Sequence, residues 1–151
     1  MPDTTKTVTK NADATTGDEP ESFFAQGGFL QGLGLRRSLF EEDRARFELA
    51  VEPRHMNRLG IPHGGVYATM LDSALGAAGC WDGAPDRFRP SVTLNLNVSY
   101  LAQPKGSRLI ADGRRTGGGK SIYFSEGEIR DDTGVLIATA TGTFKVVRPR
   151  S

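Results

Sequence analysis

Polar and apolar positions alternate most cleanly over residues 92–100. Val92, Leu94, Leu96, Val98 and Tyr100 fall on one side of an extended chain, and Thr93, Asn95, Asn97 and Ser99 on the other. A period of two is that of a half-buried strand. Residues 44–51 show the same period, with Ala45, Phe47, Leu49 and Val51 aligned, until Pro53 stops the run. Further strands are expected over 35–40, 108–115, 121–130 and 135–147, the last two separated by the turn signal Asp131-Asp132-Thr133-Gly134. Connections this short predict a mainly antiparallel meander in the C-terminal half.

One long segment follows a different period. Residues 64–80 contain no proline and carry Val66, Met70, Ala74 and Ala77 on one stripe, with Tyr67, Leu71, Leu75 and Ala78 on the next. That predicts a helix of roughly four turns, apolar around so much of its circumference that it must be buried. A flat sheet would leave one flank wet, whereas a curved antiparallel sheet wrapped around the helix would not. The expected architecture is therefore α+β, with one long buried helix. The Gly-interrupted, aromatic stretch 23–33 predicts a helical turn or two capping the domain, and Gly83, Pro85 and Pro90 mark 81–90 as a loop.

The 151 residues suffice for one domain, expected over 23–147. Residues 1–22 lack the large apolar side chains needed to offset the entropy of ordering, which predicts a disordered tail; 148–151 form a short C-terminal tail. With 19 basic and 18 acidic residues the net charge is +1, which gives no electrostatic case for nucleic acid. The single cysteine, Cys80, excludes an internal disulfide and a Cys-based zinc site, and two histidines make metal catalysis improbable. No cofactor is expected. Absence of a long apolar run predicts no signal peptide and no membrane span, hence a cytoplasmic protein.

The join between loop and helix bears the chemistry. Gly64 and Gly65 open the helix directly after Pro62-His63. A helix start presents unpaired N–H groups and the positive end of the macrodipole, and glycine lets another atom come close. Such a place suits an oxygen on which negative charge develops, although two glycines also serve a tight turn. Asp72 is the second feature, a carboxylate among Met70, Leu71, Ala74 and Leu75. It must be paired, exposed, or held as a base or nucleophile in a mostly dry cleft.

Eight helical residues separate Gly64 from Asp72, roughly 12 Å along the axis. One chain cannot aim both at the same carbonyl. If both act in one site, the aspartate comes from a second copy, across a two-fold axis that creates two equivalent sites. The expectation is a homodimer.

The pattern Asn57-x-x-Gly60-x-x-His63-Gly64-Gly65, then Asp72 followed by Ser73-Ala74-Leu75-Gly76, resembles the signature of hotdog-fold thioesterases of the phenylacetic acid degradation (PaaI-like) group. The segments 91–101 and 134–142, and Pro104 between them, are similar to that family as well. The resemblance implies an acyl-CoA thioesterase acting on a small aryl or short-to-medium acyl group. It implies that the Gly64 amide polarises the thioester carbonyl, that Asn57 orients the reacting groups, and that His63 shapes the loop. Asp72 of the partner subunit would be base or nucleophile, Ser91 would help hold the water, and dimers would pair further into tetramers. Asn57 and His63 also suit purely local roles in a turn.

Gly65 and Tyr67 are expected substrate contacts. Tyr67, Met70 and Trp81 either narrow the acyl tunnel or, for the first two, belong to the core. Arg89 and Lys120 are expected at the CoA phosphates beside Arg87, Arg114 and Arg115. The run Gly117-Gly118-Gly119-Lys120 lacks the spacing of a P-loop. Two rivals share the fold: a non-catalytic acyl-CoA binder, and an enoyl-CoA hydratase or dehydratase using His63 to move protons.

Overall fold

In the computed structural model, which describes residues 28–148, the alternating segments form one antiparallel sheet. Its strands are β1 (Arg36–Glu41), β2 (Arg44–Ala50), β3 (Ser91–Tyr100), β4 (Arg108–Gly118), β5 (Ile122–Asp131) and β6 (Leu136–Val146). A short helix α1 (Gly28–Leu33) precedes them, and α2 (Gly64–Ala78) lies between β2 and β3. The expected tail over 1–22 and residues 149–151 lie outside the described residues.

The strand order is β1-β2-β4-β5-β6-β3. The expected meander holds for β4, β5 and β6 but does not include β3, which pairs with β6 and occupies the far edge. The reason is the helix. Leaving β2, the chain crosses the sheet as α2 and returns beyond it, so β4 pairs with β2 and the meander fills the gap.

The core is the seam between α2 and the sheet. Met70, Leu71, Ala74 and Leu75 of the helix meet Phe47, Leu49, Leu109, Ile129, Ile137 and Phe144 of the strands, all buried. Each large side chain there contributes about 1.5–3 kcal/mol of burial. Backbone comes close where glycine permits: a Cβ on Gly113 of β4 would sit 2.3 Å from the Ala74 carbonyl oxygen.

The sheet does not enclose the helix completely. Gly65, Ala68, Thr69, Asp72, Ser73 and Gly76 recur at helical spacing and stay partly or fully uncovered, a polar, small-residue stripe. Beside that stripe runs the outer edge of β3, ten residues without a charge, with Val92, Leu94 and Tyr100 about half exposed. The other edge, β1, carries Arg36, Arg37 and Glu41. A long, uncharged edge that pairs with no further strand among the described residues invites another strand.

The β5–β6 turn is built on a buried carboxylate. Asp131 accepts from the amides of Lys105 and Gly106 with one oxygen, and from Thr133 and the Val135 amide with the other. Burial pushes this carboxyl up. The bonds from Gly106, Thr133, Lys105 and Val135 outweigh burial and hold it well below the usual carboxylate range.

Candidate active site

The loop before α2 is pinned by its own polar groups. Asn57 Oδ1 accepts from the amides of Leu59 at 2.8 Å and Ile61 at 3.4 Å, and its backbone bonds to Ile61 and Gly60 close the turn. Gly60 takes φ +74°, a left-handed conformation that suits glycine. The buried His55 anchors the loop from behind. Its Nδ1 accepts from the Glu52 amide, so Nε2 carries the proton donated to the Leu33 carbonyl at 2.7 Å, and its own carbonyl accepts from His63 N–H.

His63 is the N-cap of α2. Its Nδ1 accepts from the Gly65 amide at 2.8 Å, which occupies the donor of one expected contact residue. Gly64 N–H, by contrast, donates to no group among the described residues, while its carbonyl accepts from Tyr100 Oη at 3.1 Å. Tyr100 lies against Gly64 closely enough that a Cβ there would be 3.2 Å from the ring. Tyr67, buried one turn along, faces Tyr100 with ring centroids 6.1 Å apart. One free amide therefore stands at the positive end of the helix, beside two aromatic rings.

Asp72 lies two turns further on, partly exposed in the uncovered stripe. Thr93 Oγ1 donates to its Oδ1 at 2.6 Å. This arrangement corrects the strict alternation expected of β3. Strict alternation puts Thr93 on the face opposite Leu96, but the β3–β6 register shifts between Thr93 and Asn95, so Thr93 pairs with Phe144 on the helix side. A bulge has re-aimed the hydroxyl. Ser91, the hydroxyl expected to help hold the water, has its Oγ 2.8 Å from Tyr123 Oη and 3.4 Å from Cys80 Sγ. Thr93 holds the position next to the carboxylate.

Beyond the end of α2, burial pushes the Cys80 thiol up, against the opposing bonds from Ser91 and Tyr123 and the charge of Arg89, so it remains a thiol. Arg89 donates its amide to the Cys80 carbonyl at 2.7 Å, and its Nε is buried without a partner among the described residues. Lys120 is exposed on the β4–β5 hairpin, where Arg115 donates to the carbonyls of Gly117 and Gly119. Within one chain Asn57, His63, Gly64, Gly65 and Tyr67 gather at the N-terminal end of α2. Asp72 stands mid-helix, and Arg89 follows the C-terminal end. Thr93, Tyr100 and His55 are additions that alternation and motif spacing do not reveal.

Residues 59–138 match the thioesterase superfamily. The chain is 32% identical over 99 residues to acyl-coenzyme A thioesterase 13 of Mus musculus, covering 64% of this chain and 68% of that one. A Bacillus halodurans protein solved with CoA is 31% identical with TM-score 0.68, over 81% of this chain and 80% of that one. The Escherichia coli PaaI protein superposes with TM-score 0.72 at 17% identity, over 83% of this chain and 88% of that one, a likeness of fold. With a long helix held against six antiparallel strands and the glycine-opened helix start in place, the chain is an enzyme of the thioesterase superfamily, on the hotdog fold.

Proposed function

We propose that the protein hydrolyses the thioester of a small aryl or short-to-medium acyl-CoA, at a site shared between two copies of the chain. One observation carries the reading: the free Gly64 amide and the Asp72–Thr93 pair lie on the same uncovered flank, yet eight helical residues apart. At roughly 12 Å they cannot serve one carbonyl in one chain.

Self-pairing of β3 supplies the missing half. An antiparallel register with Asn97 on the two-fold axis sets Leu96 opposite the partner's Val98. It also brings Tyr100, with Gly64 behind it, alongside the bulge that holds the partner's Thr93. Asp72 of the partner subunit then faces Gly64. The same pairing covers the uncharged edge and the polar stripe of α2. Further association of dimers belongs to this reading. The outer sheet face, with a cavity of ≈ 740 Å³ lined in part by Asn97, Arg114, Glu126 and Thr141, is the surface left for it.

In the shared site the thioester oxygen accepts from Gly64 N–H, and the helix dipole favours the charge that builds there. Asp72 takes a proton from water as its oxygen attacks the carbonyl carbon; Thr93 occupies one carboxylate oxygen and leaves the other for the water. Collapse of the tetrahedral intermediate breaks the carbon–sulfur bond, and the CoA sulfur leaves and takes up a proton. Asn57 and His63 hold the loop that aims the amide, while Tyr67 and Tyr100 flank the acyl side. Arg89, whose buried Nε has no partner among the described residues, and Lys120 are the cations proposed for CoA phosphates. A cytoplasmic location belongs to the same proposal, and a single free thiol is in keeping with it.

The test is a panel of acyl-CoAs assayed for thiol release, beside enoyl-CoA hydration. Thiol release that Asp72→Asn abolishes is the expected result. Full activity in that variant, or hydration without hydrolysis, overturns the reading.

A further inference from the structure

The hydroxyl of Tyr123 joins two segments that the proposed chemistry must keep in register. Its Oη is 2.6 Å from the Gly76 carbonyl and 2.8 Å from Ser91 Oγ. Only one proton is available on that oxygen, and a carbonyl can only accept. Tyr123 therefore donates to Gly76, and Ser91 donates to Tyr123. Cys80 Sγ, 3.2 Å from the same carbonyl and 3.4 Å from Ser91 Oγ, closes the cluster as a weak donor. Burial and the neighbouring Cys80 push the phenol well above its ordinary range, so it stays a donor at any working pH.

The ring has no freedom to drift. It stacks on Phe144, centroids 5.3 Å apart and planes 16° apart, and presses on Gly79 so closely that a Cβ there would lie 2.1 Å from it. Phe144 in turn lies against Gly76 and is the cross-strand partner of Thr93. Gly76 is one helical turn beyond Asp72, and Ser91 precedes Thr93 by two residues on the same face of β3. One oxygen thus ties the helix turn that bears the carboxylate to the strand segment that bears its hydroxyl donor.

We infer that Tyr123 is a positioning residue for the Asp72–Thr93 pair, acting through the Gly76 carbonyl and Ser91; the inference rests on the hydrolytic role proposed for Asp72. The phenol touches no reacting atom. Its contribution is to hold the 2.6 Å contact between Thr93 and Asp72 in the geometry that leaves the second carboxylate oxygen for water.

Tyr123→Phe removes the hydroxyl and keeps the ring. Expected is a fall of about tenfold in kcat with KM unchanged, since misplacing a base costs the chemical step rather than binding. A merely structural role is separated by a double-mutant cycle with Thr93→Val, in which Tyr123→Phe has no further effect once the hydroxyl it positions is gone. An equal tenfold drop in both backgrounds, or no drop in either, overturns the inference. Should Tyr123→Phe fail to fold, Ser91→Ala in the same cycle decides, because it cuts the strand-side bond, together with the weak Cys80 contact, and leaves the Tyr123–Gly76 bond in place. Asp72→Asn is the control. If it retains activity the hydrolytic reading itself has failed, whereas an inactive Asp72→Asn beside a fully active Tyr123→Phe sinks the positioning role alone.

Discussion

Thr93 donates to Asp72 across 2.6 Å because β3 breaks its own alternation. Without the bulge that side chain would face away from α2 and the carboxylate would keep no hydroxyl beside it. The contact predicts a graded response. Thr93→Ser retains the donor and should keep most activity, while Thr93→Val, nearly the same shape, should lower kcat about tenfold. Steady-state kinetics of the two variants check this, and equal activity in both would remove the hydroxyl from the mechanism.

Gly64→Pro removes the amide proton, and Gly64→Ala, which brings a Cβ to the same 3.2 Å from the Tyr100 ring but keeps the N–H, is its control. Proline is tolerated at the first position of a helix, where the N–H has no intrahelical acceptor. His63 before it has φ −62° and ψ 138°, an extended conformation compatible with a following proline. The helix should survive by circular dichroism, and kcat should fall about 10²–10³-fold, as when one oxyanion donor is lost.

Two stability predictions probe the frame. Gly113→Ala places a Cβ 2.3 Å from the Ala74 carbonyl, backbone against backbone, and should cost about 1–3 kcal/mol in urea unfolding. A neutral result would mean that α2 rides further from β4 than the structure has it.

The turn at Asp131 predicts acid sensitivity. Its folded carboxyl titrates below the unfolded value of about 4. The stability it contributes is therefore complete above that pH and lost progressively as pH falls through and below it. Asp131→Asn keeps one acceptor oxygen and loses the charge. It should melt lower than the parent at neutral pH, with a flatter dependence below about pH 4. Parallel melting curves across that range would take Asp131 out of the acid response.

What was legible in the chain divides along physical lines. Local periodicity and capping are written in consecutive residues, so α2, the strands and the glycine-opened helix start could be read directly. Strand order could not, because placing β3 beside β6 depends on the path of α2 and leaves no mark within 91–100. Thr93 was hidden for a related reason: the bulge that turns it toward α2 is set by the register with β6, and an unbroken alternation puts Thr93 on the side opposite Leu96 and Val98. His55 reads as an isolated histidine until folding brings the Leu33 carbonyl to its ring. The separation of Gly64 from Asp72 was legible, since it needs only the rise of a helix.

That separation yields the most decisive prediction. If each site takes Gly64 from one copy and Asp72 from the other, two inactive variants should repair each other. A chain with Asp72→Asn still offers its amide, and one with Gly64→Pro still offers its carboxylate. Their heterodimer contains one site with both groups intact and one with neither. Unfolding and refolding an equal mixture should make half the dimers mixed, each with one working site, and restore about a quarter of the parental activity. Either variant refolded alone should stay inactive. A site built within one chain predicts no recovery, because every chain in the mixture lacks one of its two groups. Thiol release before and after exchange, with the mixed dimer isolated by two different affinity tags, decides between them.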